Sequence, residues 1–385
     1  MYLVLFNTHD VVLLMTMYQC LLFAVLVVTI GRGKPLSNLM LAGFLVSHAA
    51  IPLSNLINFG EAFREMALSI SPNLFYIFDS AYWLEGPLLL WYVRSLIYKS
   101  YHWHWSNLIY LVPFLIYSFN VASFFITVDP ATRIEILEGY NLSEEPNNSH
   151  YIILARELFR VAFGVMCLIE IQRYRKTIKD SYSNIDQIDF SWLAMLTVGF
   201  LVMRIWAVFV SAAIILKVIL GFDYDFEVMG LTGNYAMFLL ITVLIFFSLS
   251  HSTLFDGVEA EYDSAKPEPK DEQAEAKAEL VSHHMDSEKP YLNSSLTLEQ
   301  LASQLQLQPR LLSTIINRHF GKNFFEFING YRIEEAKRLL RSSEVPRLSV
   351  STIMLDVGFN SKGTFNTFFK KIVGMTPSQY RSSAE

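Results

Sequence analysis

Seven apolar runs, each about as long as a lipid core is thick, occupy residues 11 to 250 and then stop. A helix that crosses a bilayer needs about 20 mostly apolar residues. The runs fall at 11–30, 39–59, 74–98, 107–128, 151–172, 190–216 and 228–250. Soluble chains have no way to bury so much apolar sequence. Here 52% of the 385 residues are hydrophobic and only 17% charged, with a mean hydropathy of +0.33, yet the last third reads as ordinary soluble polypeptide. The excess therefore belongs to one part of the chain, and the pattern predicts two regions in two solvents: a seven-helix transmembrane bundle over 1–255 and a soluble helical part beyond it. No basic stretch precedes the first run and no small-residue cleavage site follows it, so it reads as a retained span and not as a signal peptide. Cys20 and Cys167 lie within apolar runs without metal-binding spacing, which points to neither a disulfide frame nor a metal site.

Charge sets the expected orientation. One set of connections between runs carries Arg32, Lys34, Arg94, Lys99, Arg173, Arg175, Lys176 and Lys179; the other carries Arg64, Arg133 and Lys217 beside Glu135, Glu138, Glu144 and Glu145. Because Lys and Arg collect on the cytoplasmic side, the N-terminus is expected outside and the C-terminus inside the inner membrane of a bacterium. His102-Trp103-His104-Trp105 sits just past a span end, where tryptophans anchor at headgroups, and that reading is preferred to metal ligation. Two Asn-X-Ser sequons, at Asn141 and Asn147, fall in the polar outer loop.

Ionisable residues inside spans are costly, so each is a candidate for function. Asp79 and Glu85 lie on the third run, Arg156 and Arg160 four apart on one face of the fifth, and Arg204 near the middle of the sixth. They are candidates to line a polar pocket for an unknown small-molecule or membrane signal. The competing reading makes them ion pairs that fix helix packing. Glu85-Gly86-Pro87 is expected to bend or loosen its helix.

Residues 256–290 carry a net charge of −7 and few large apolar side chains, with Lys266-Pro267-Glu268-Pro269-Lys270 near the start. That composition predicts an acidic flexible linker, with a transient helix around Glu272 to Leu280. Residues 291–385 carry +5 within a chain whose net charge is −6, a cationic module suited to a polyanion. Its periodicity predicts a first helix-turn-helix at about 296–320, a connecting helix at about 324–340 and a second helix-turn-helix at about 349–373. In the first unit Leu312, Ile315, Ile316 and Phe320 share the apolar face, leaving Arg310, Ser313, Thr314, Asn317 and Arg318 opposite. In the second, Phe365, Phe368, Phe369 and Ile372 are expected inward, with Lys362, Asn366, Thr367, Lys370 and Lys371 outward.

Three motifs in order carry a resemblance. Ile353-Met354-Leu355-Asp356-Val357-Gly358-Phe359-Asn360-Ser361, then Phe365-Asn366-Thr367-Phe368-Phe369-Lys370-Lys371, then Gly374-Met375-Thr376-Pro377-Ser378-Gln379-Tyr380-Arg381 resemble the signature of AraC/XylS-type regulators. Tyr331 to Leu340 is similar to that family's connecting helix, and Tyr82-Trp83-Leu84-Glu85-Gly86-Pro87-Leu88-Leu89 resembles the N-terminal regions of its membrane-bound members. The resemblance implies an AraC-type DNA-binding domain whose second helix in each unit enters a major groove. It also implies Arg310, Ser313, Thr314, Lys362, Asn366 and Thr367 as base readers. Gln308 replaces the usual capping Ser, and Gly363 removes a side chain where a reader often sits.

The fold class is read as all-α, and the resemblance together with the apolar runs implies a one-component transcription regulator, with promoter DNA and the lipid bilayer as partners and RNA polymerase and a second copy of the chain as further candidates. No cofactor is implied. No HExxH, GxSxG or P-loop pattern points to enzyme chemistry. A transporter or membrane sensor whose C-terminal domain is a regulatory or protein-interaction adaptor is the competing class.

Overall fold

The computed structural model describes residues 7–29, 34–98, 101, 104–139, 148–184, 191–221, 226–250, 274–341 and 348–383. It divides into two compact units. The first comprises 1–171 and 190–261; the second comprises 172–189 and 262–385.

In the first unit, α1 (Thr8–Thr29) packs along α2 (Pro35–Phe59), and the short amphipathic α3 (Glu61–Ile70) follows. The third apolar run is not one helix. It forms α4 (Leu74–Ile77), a 3-10 turn over Phe78–Ser80, and α5 (Ala81–Ile97). The irregularity expected at Glu85-Gly86-Pro87 thus lies upstream, and Pro87 stands within α5. Gly86 instead permits close approach: a Cβ there would lie 3.0 Å from Phe163. α6 (Val112–Thr127), preceded by a 3-10 stretch from Trp105, buries none of its residues. α7 (Pro130–Gly139), α8 (Asn148–Ile178), α9 (Ser191–Leu220) and α10 (Phe226–Ser250) complete the unit's helices, with α10 against both α9 and α1. The last turns of α8 belong to the second unit.

Against the seven spans expected, five helices among the described residues are long and apolar enough to cross a membrane: Thr8–Thr29, Pro35–Phe59, Trp105–Thr127, Leu193–Leu220 and Val228–Phe246. α5 has only 17 residues, including Glu85 and Arg94, and α8 carries Arg156, Glu157, Arg160 and Glu170 in its middle. Charge and shortness, and not the absence of helix, set these two apart. Phe119, Ile126 and Phe246 are each 70% or more exposed, an apolar exterior that water disfavours.

The second unit opens before its expected boundary. α11 (Ala274–Ser287) lies in the segment read as linker, yet it buries Ala278, Val281 and Met285. Their spacing of three and four places all three on one helical face. Three small or medium side chains suffice for docking, which is why composition alone pointed to a spacer. Residues 256–273 lie outside the described residues.

α12 (Leu298–Gln304) begins with a capping box between Thr297 and Gln300, and α13 (Pro309–His319) follows a turn in which Gln306 has φ 55°. α14 (Phe324–Arg341) is shared by two cores. Phe324, Phe327 and Ile328 join Val281, Met285, Leu301, Leu312 and Ile316, whereas Ile333, Ala336 and Leu340 join Ile353, Val357, Phe365 and Phe369. α15 (Val350–Asp356), α16 (Lys362–Val373) and α17 (Pro377–Ser382) build the second core, with Ser361 and Thr376 capping the last two helices. Ile372 departs from expectation: it is 44% exposed, in the last turn before Gly374 ends α16.

Gly358 is held by its surroundings as well as by its φ of +92°. A Cβ there would lie 2.8 Å from the Tyr291 carbonyl and 2.9 Å from Arg332 Nε. Gly374, at φ +84°, has nothing within 4 Å. Gly358→Ala is therefore expected to destabilise the second unit by roughly 2 kcal/mol or more, and Gly374→Ala by about 1 kcal/mol. Thermal unfolding of the two purified full-length variants, followed by protease sensitivity of the C-terminal unit, checks the ranking; equal shifts would contradict it.

Candidate functional site

Two surfaces and two buried polar clusters account for the candidate residues. On α13, Arg310, Asn317 and Arg318 are exposed, and Ser313 and Thr314 are half-buried. Positions 310, 313, 314 and 317 follow helical spacing and form one stripe opposite Leu312, Ile315 and Ile316. The Thr314 hydroxyl donates to the Arg310 carbonyl at 3.0 Å, and Asn317 Nδ2 donates to Ser313 Oγ at 3.4 Å. Gln308 occupies the N-cap without a side-chain cap bond, and Pro309 supplies the first-turn geometry in its place.

On α16, Lys362, Thr367 and Lys370 are exposed and Asn366 is half-buried. Ser361 Oγ accepts the Thr364 N–H and fixes the start of the helix. Gly363 is exposed, and a Cβ there would meet only Ser361 Oγ at 3.6 Å. Lys371 is exposed too, but its ammonium lies 3.1 Å from Glu326 on α14. It is thus drawn toward the connecting helix, a local competitor to any phosphate.

Between the two cores lies Arg332, with no exposed surface. All five of its N–H donors are matched. Nε donates to the Tyr291 carbonyl at 2.7 Å; Nη1 to the Ser183 carbonyl and Asn329 Oδ1, each at 3.1 Å; Nη2 to Ser183 Oγ at 3.2 Å and the Asn293 carbonyl at 2.8 Å. Burial lowers its pKa from arginine's usual range to about 10, still well above neutrality, so the guanidinium remains charged and is neutralised by oxygen dipoles. Sequence reading passed over it as part of a connecting helix. Its signal was spacing: Arg332 stands four after Ile328 and four before Ala336, on the buried stripe.

The span-embedded candidates converge in part. Glu85 pairs with Arg160 and accepts from His48 Nδ1 at 2.6 Å; Arg160 also pairs with Glu157 at 2.8 Å. Arg204 lies 3.8 Å from Glu85 and 3.7 Å from Glu157. Arg156 reaches Glu157 at 3.1 Å and covers the Tyr82 ring, its guanidinium carbon 3.6 Å from the centroid. Asp79 lies at the edge of this cluster, accepting from Ser54 Oγ at 2.5 Å and from Tyr117, within reach of the Arg156 charge. His48 completes the cluster although sequence reading did not select it: a lone His in an apolar run gives little signal. The cavity beside His48 and Glu85 measures about 10 Å³, room for one water and no ligand. His104 lies at the edge of the described residues, whereas His102 and Trp103 are outside them.

Comparison with known proteins addresses the C-terminal part. Residues 301–383 match a family model described as a helix-turn-helix domain. The arabinose operon regulatory protein of Escherichia coli is 27% identical over 153 residues, covering 40% of this chain and 47% of that protein. The HTH-type transcriptional regulator YtdP of Bacillus subtilis is 30% identical over 26% of this chain and 12% of its own length. The HTH-type transcriptional activator RhaR of Enterobacter is 33% identical over 23% and 31%. Among solved structures, the C-terminal domain of the response regulator yesN from Fusobacterium nucleatum is 36% identical, covering 28% of this chain and 98% of that one, with a TM-score of 0.24. The chain spans less than half the length of these curated relatives. The C-terminal quarter is a helix-turn-helix domain, and the curated proteins that resemble it are transcriptional regulators of the AraC kind rather than enzymes.

Proposed function

We propose that this chain is a membrane-held, one-component transcription regulator that binds promoter DNA through α13 and α16. The observation that carries the reading is the pair of helix-turn-helix units built on one shared helix, α14, each presenting an exposed cationic face: Arg310 and Arg318 on one, Lys362 and Lys370 on the other. Arginine and lysine at such positions meet base edges and phosphates of duplex DNA. RNA polymerase and a second copy of the chain remain natural partners for a promoter-bound module.

Five helices of spanning length and an apolar exterior support lipid as the solvent of the first unit. Sidedness has support independent of loop charge. Ser183 bonds directly to Leu296, so the connection after α8 and the C-terminal unit share one side of any membrane. Among the described residues, two helices of spanning character, α9 and α10, lie between them in sequence, an even number of crossings. With Arg173, Arg175, Lys176 and Lys179 in that connection, the shared side is read as cytoplasmic and the N-terminus as outside.

A signal would act on the first unit. Glu85, Arg156, Arg160 and Arg204 are paired, and the cavity beside Glu85 holds only about 10 Å³, which favours packing of α2, α5, α8 and α9 as their role in this conformation. Glu85→Gln leaves Arg160 and Arg204 facing Glu157 alone. Its expected cost is about 3–5 kcal/mol, read as a lower thermal midpoint in detergent, against under about 2 kcal/mol for Asp79→Asn, which keeps its contact with Ser54. Equal midpoints would count against the packing role.

DNA reading is tested by selecting duplexes from a random library on the full-length protein and titrating the winner. Arg310→Ala is expected to cost about 1–3 kcal/mol on the selected duplex and to relax selectivity. Lys370→Ala should weaken selected and random duplexes alike and lower the slope of log K against log salt by about 0.9. Identical losses for the two variants on both duplexes would reject this division of roles.

A further inference from the structure

The second unit contains a piece of chain that neither the linker nor the helix-turn-helix pattern supplies. Residues 172–189 come from the connection between α8 and α9, more than 80 residues before α11 in sequence, yet they cluster with the C-terminal domain. α8 runs unbroken through the division, with Tyr174 and Ile178 buried in its last turns.

Beyond α8 the backbone pairs with the domain. Tyr182 and Thr297 form an antiparallel bridge. The Leu298 N–H donates to the Ser181 carbonyl at 2.9 Å, the Ser183 N–H to the Leu296 carbonyl at 3.2 Å, and the Phe325 N–H to the Lys179 carbonyl at 2.9 Å. Ser183 has no exposed surface, and its hydroxyl donates to the Leu296 carbonyl at 2.6 Å. Asn329 Nδ2 reaches the Ser183 carbonyl at 3.2 Å, and Arg332 binds both that carbonyl and the hydroxyl oxygen. Backbone ladder bonds at fixed register, closed by a buried charged donor, specify one alignment. A surface loop resting against a neighbour would show neither feature.

We infer that Lys179–Ser183, a turn that ends in one β-bridge, is a docking segment that ties the helix-turn-helix domain to the end of α8, so that the domain is held by this contact as well as by the acidic linker. A flexible linker sets only a reach, whereas paired backbone sets a register. The contact uses the backbone at the start of α12 and the buried side of α14. Arg310, Arg318, Lys362 and Lys370 stay exposed, so docking is compatible with reading DNA and is no cap over the reading faces. α8 carries Glu157 and Arg160 of the buried ion cluster upstream of the docking segment, so a change in that cluster has a helical route to it. The regulatory consequence rests on the DNA-reading proposal; the docking does not.

The test uses the full chain with an N-terminal affinity tag and a protease site placed within residues 256–273, purified in detergent. After cleavage the C-terminal fragment is expected to stay on the affinity resin with the tagged part. Ser183→Pro, which lacks both the N–H and the hydroxyl, should lower the retained fraction about tenfold, the effect of losing roughly one charge-assisted hydrogen bond. Thr177→Ala, exposed on α8, should leave retention unchanged. A Tyr182→Cys/Thr297→Cys pair gives a second readout, because directly opposed residues of an antiparallel bridge lie about 4.5–5.5 Å apart at Cα, within disulfide reach. Added oxidant should then join the two fragments on a non-reducing gel. A wild-type fragment that washes off freely, or a cysteine pair that fails to join, would overturn the docking segment. Duplex binding by the same fragment separates the two ideas: release with DNA binding intact removes only the docking, and retention without DNA binding removes only the reading.

Discussion

The Arg332 guanidinium is the contact on which the C-terminal unit is organised. A buried charge is tolerated only when its donors are met, and here five oxygens from Ser183, Tyr291, Asn293 and Asn329 meet all five. Those partners come from three separate stretches of chain. Satisfying one side chain therefore fixes the connection after α8, the segment before α12 and the middle of α14 at once. Gly358 belongs to the same arrangement, since the turn of the second helix-turn-helix passes so close to Arg332 and Tyr291 that no Cβ fits. One charge thus stands where the two cores meet on α14.

The first unit solves a reversed problem. Its exterior is apolar and its interior holds Glu85, Glu157, Arg160 and Arg204, so polar pairing does inside what it ordinarily does at a surface. In lipid, apolar contact gives little drive for helices to associate, and paired charges with close approach at small residues take over. Gly86 against Phe163 supplies the close approach, one residue from Glu85 on α5 and three from Arg160 on α8. The α5–α8 contact is therefore specified by both features, and α8 is the helix that continues into the docking segment.

Much of this was legible in the sequence because the underlying signals are periodic. Leu312, Ile315 and Ile316, or Phe365 and Phe369, mark buried faces by spacing, and the polar residues opposite them follow automatically. The capping residues Thr297, Ser361 and Thr376 likewise announce helix starts. What escaped was non-local or weakly periodic. α11 docks with Ala278, Val281 and Met285, too few apolar groups to outweigh an acidic composition. The 3-10 turn at Phe78–Ser80 has no local breaker, whereas the conspicuous Gly86-Pro87 pair interrupts nothing. Ser183 carried no signal at all: its role depends on Leu296 and Arg332, which lie more than a hundred residues away in sequence. Seven runs were read as spans where five described helices meet the length and apolarity of a crossing, since hydropathy averages over the charges in α5 and α8 that the folded unit pairs.

The central claim is that one polypeptide resides in lipid and reads DNA from there. Formaldehyde cross-linking of cells expressing the full chain, isolation of the membrane fraction and sequencing of the DNA held by the protein test both halves together. The expected yield is a small set of promoter sites, enriched in the membrane fraction and sharing a motif that spans two adjacent major grooves. DNA recovered without a shared motif, or recovered only with protein that has left the membrane, would contradict it.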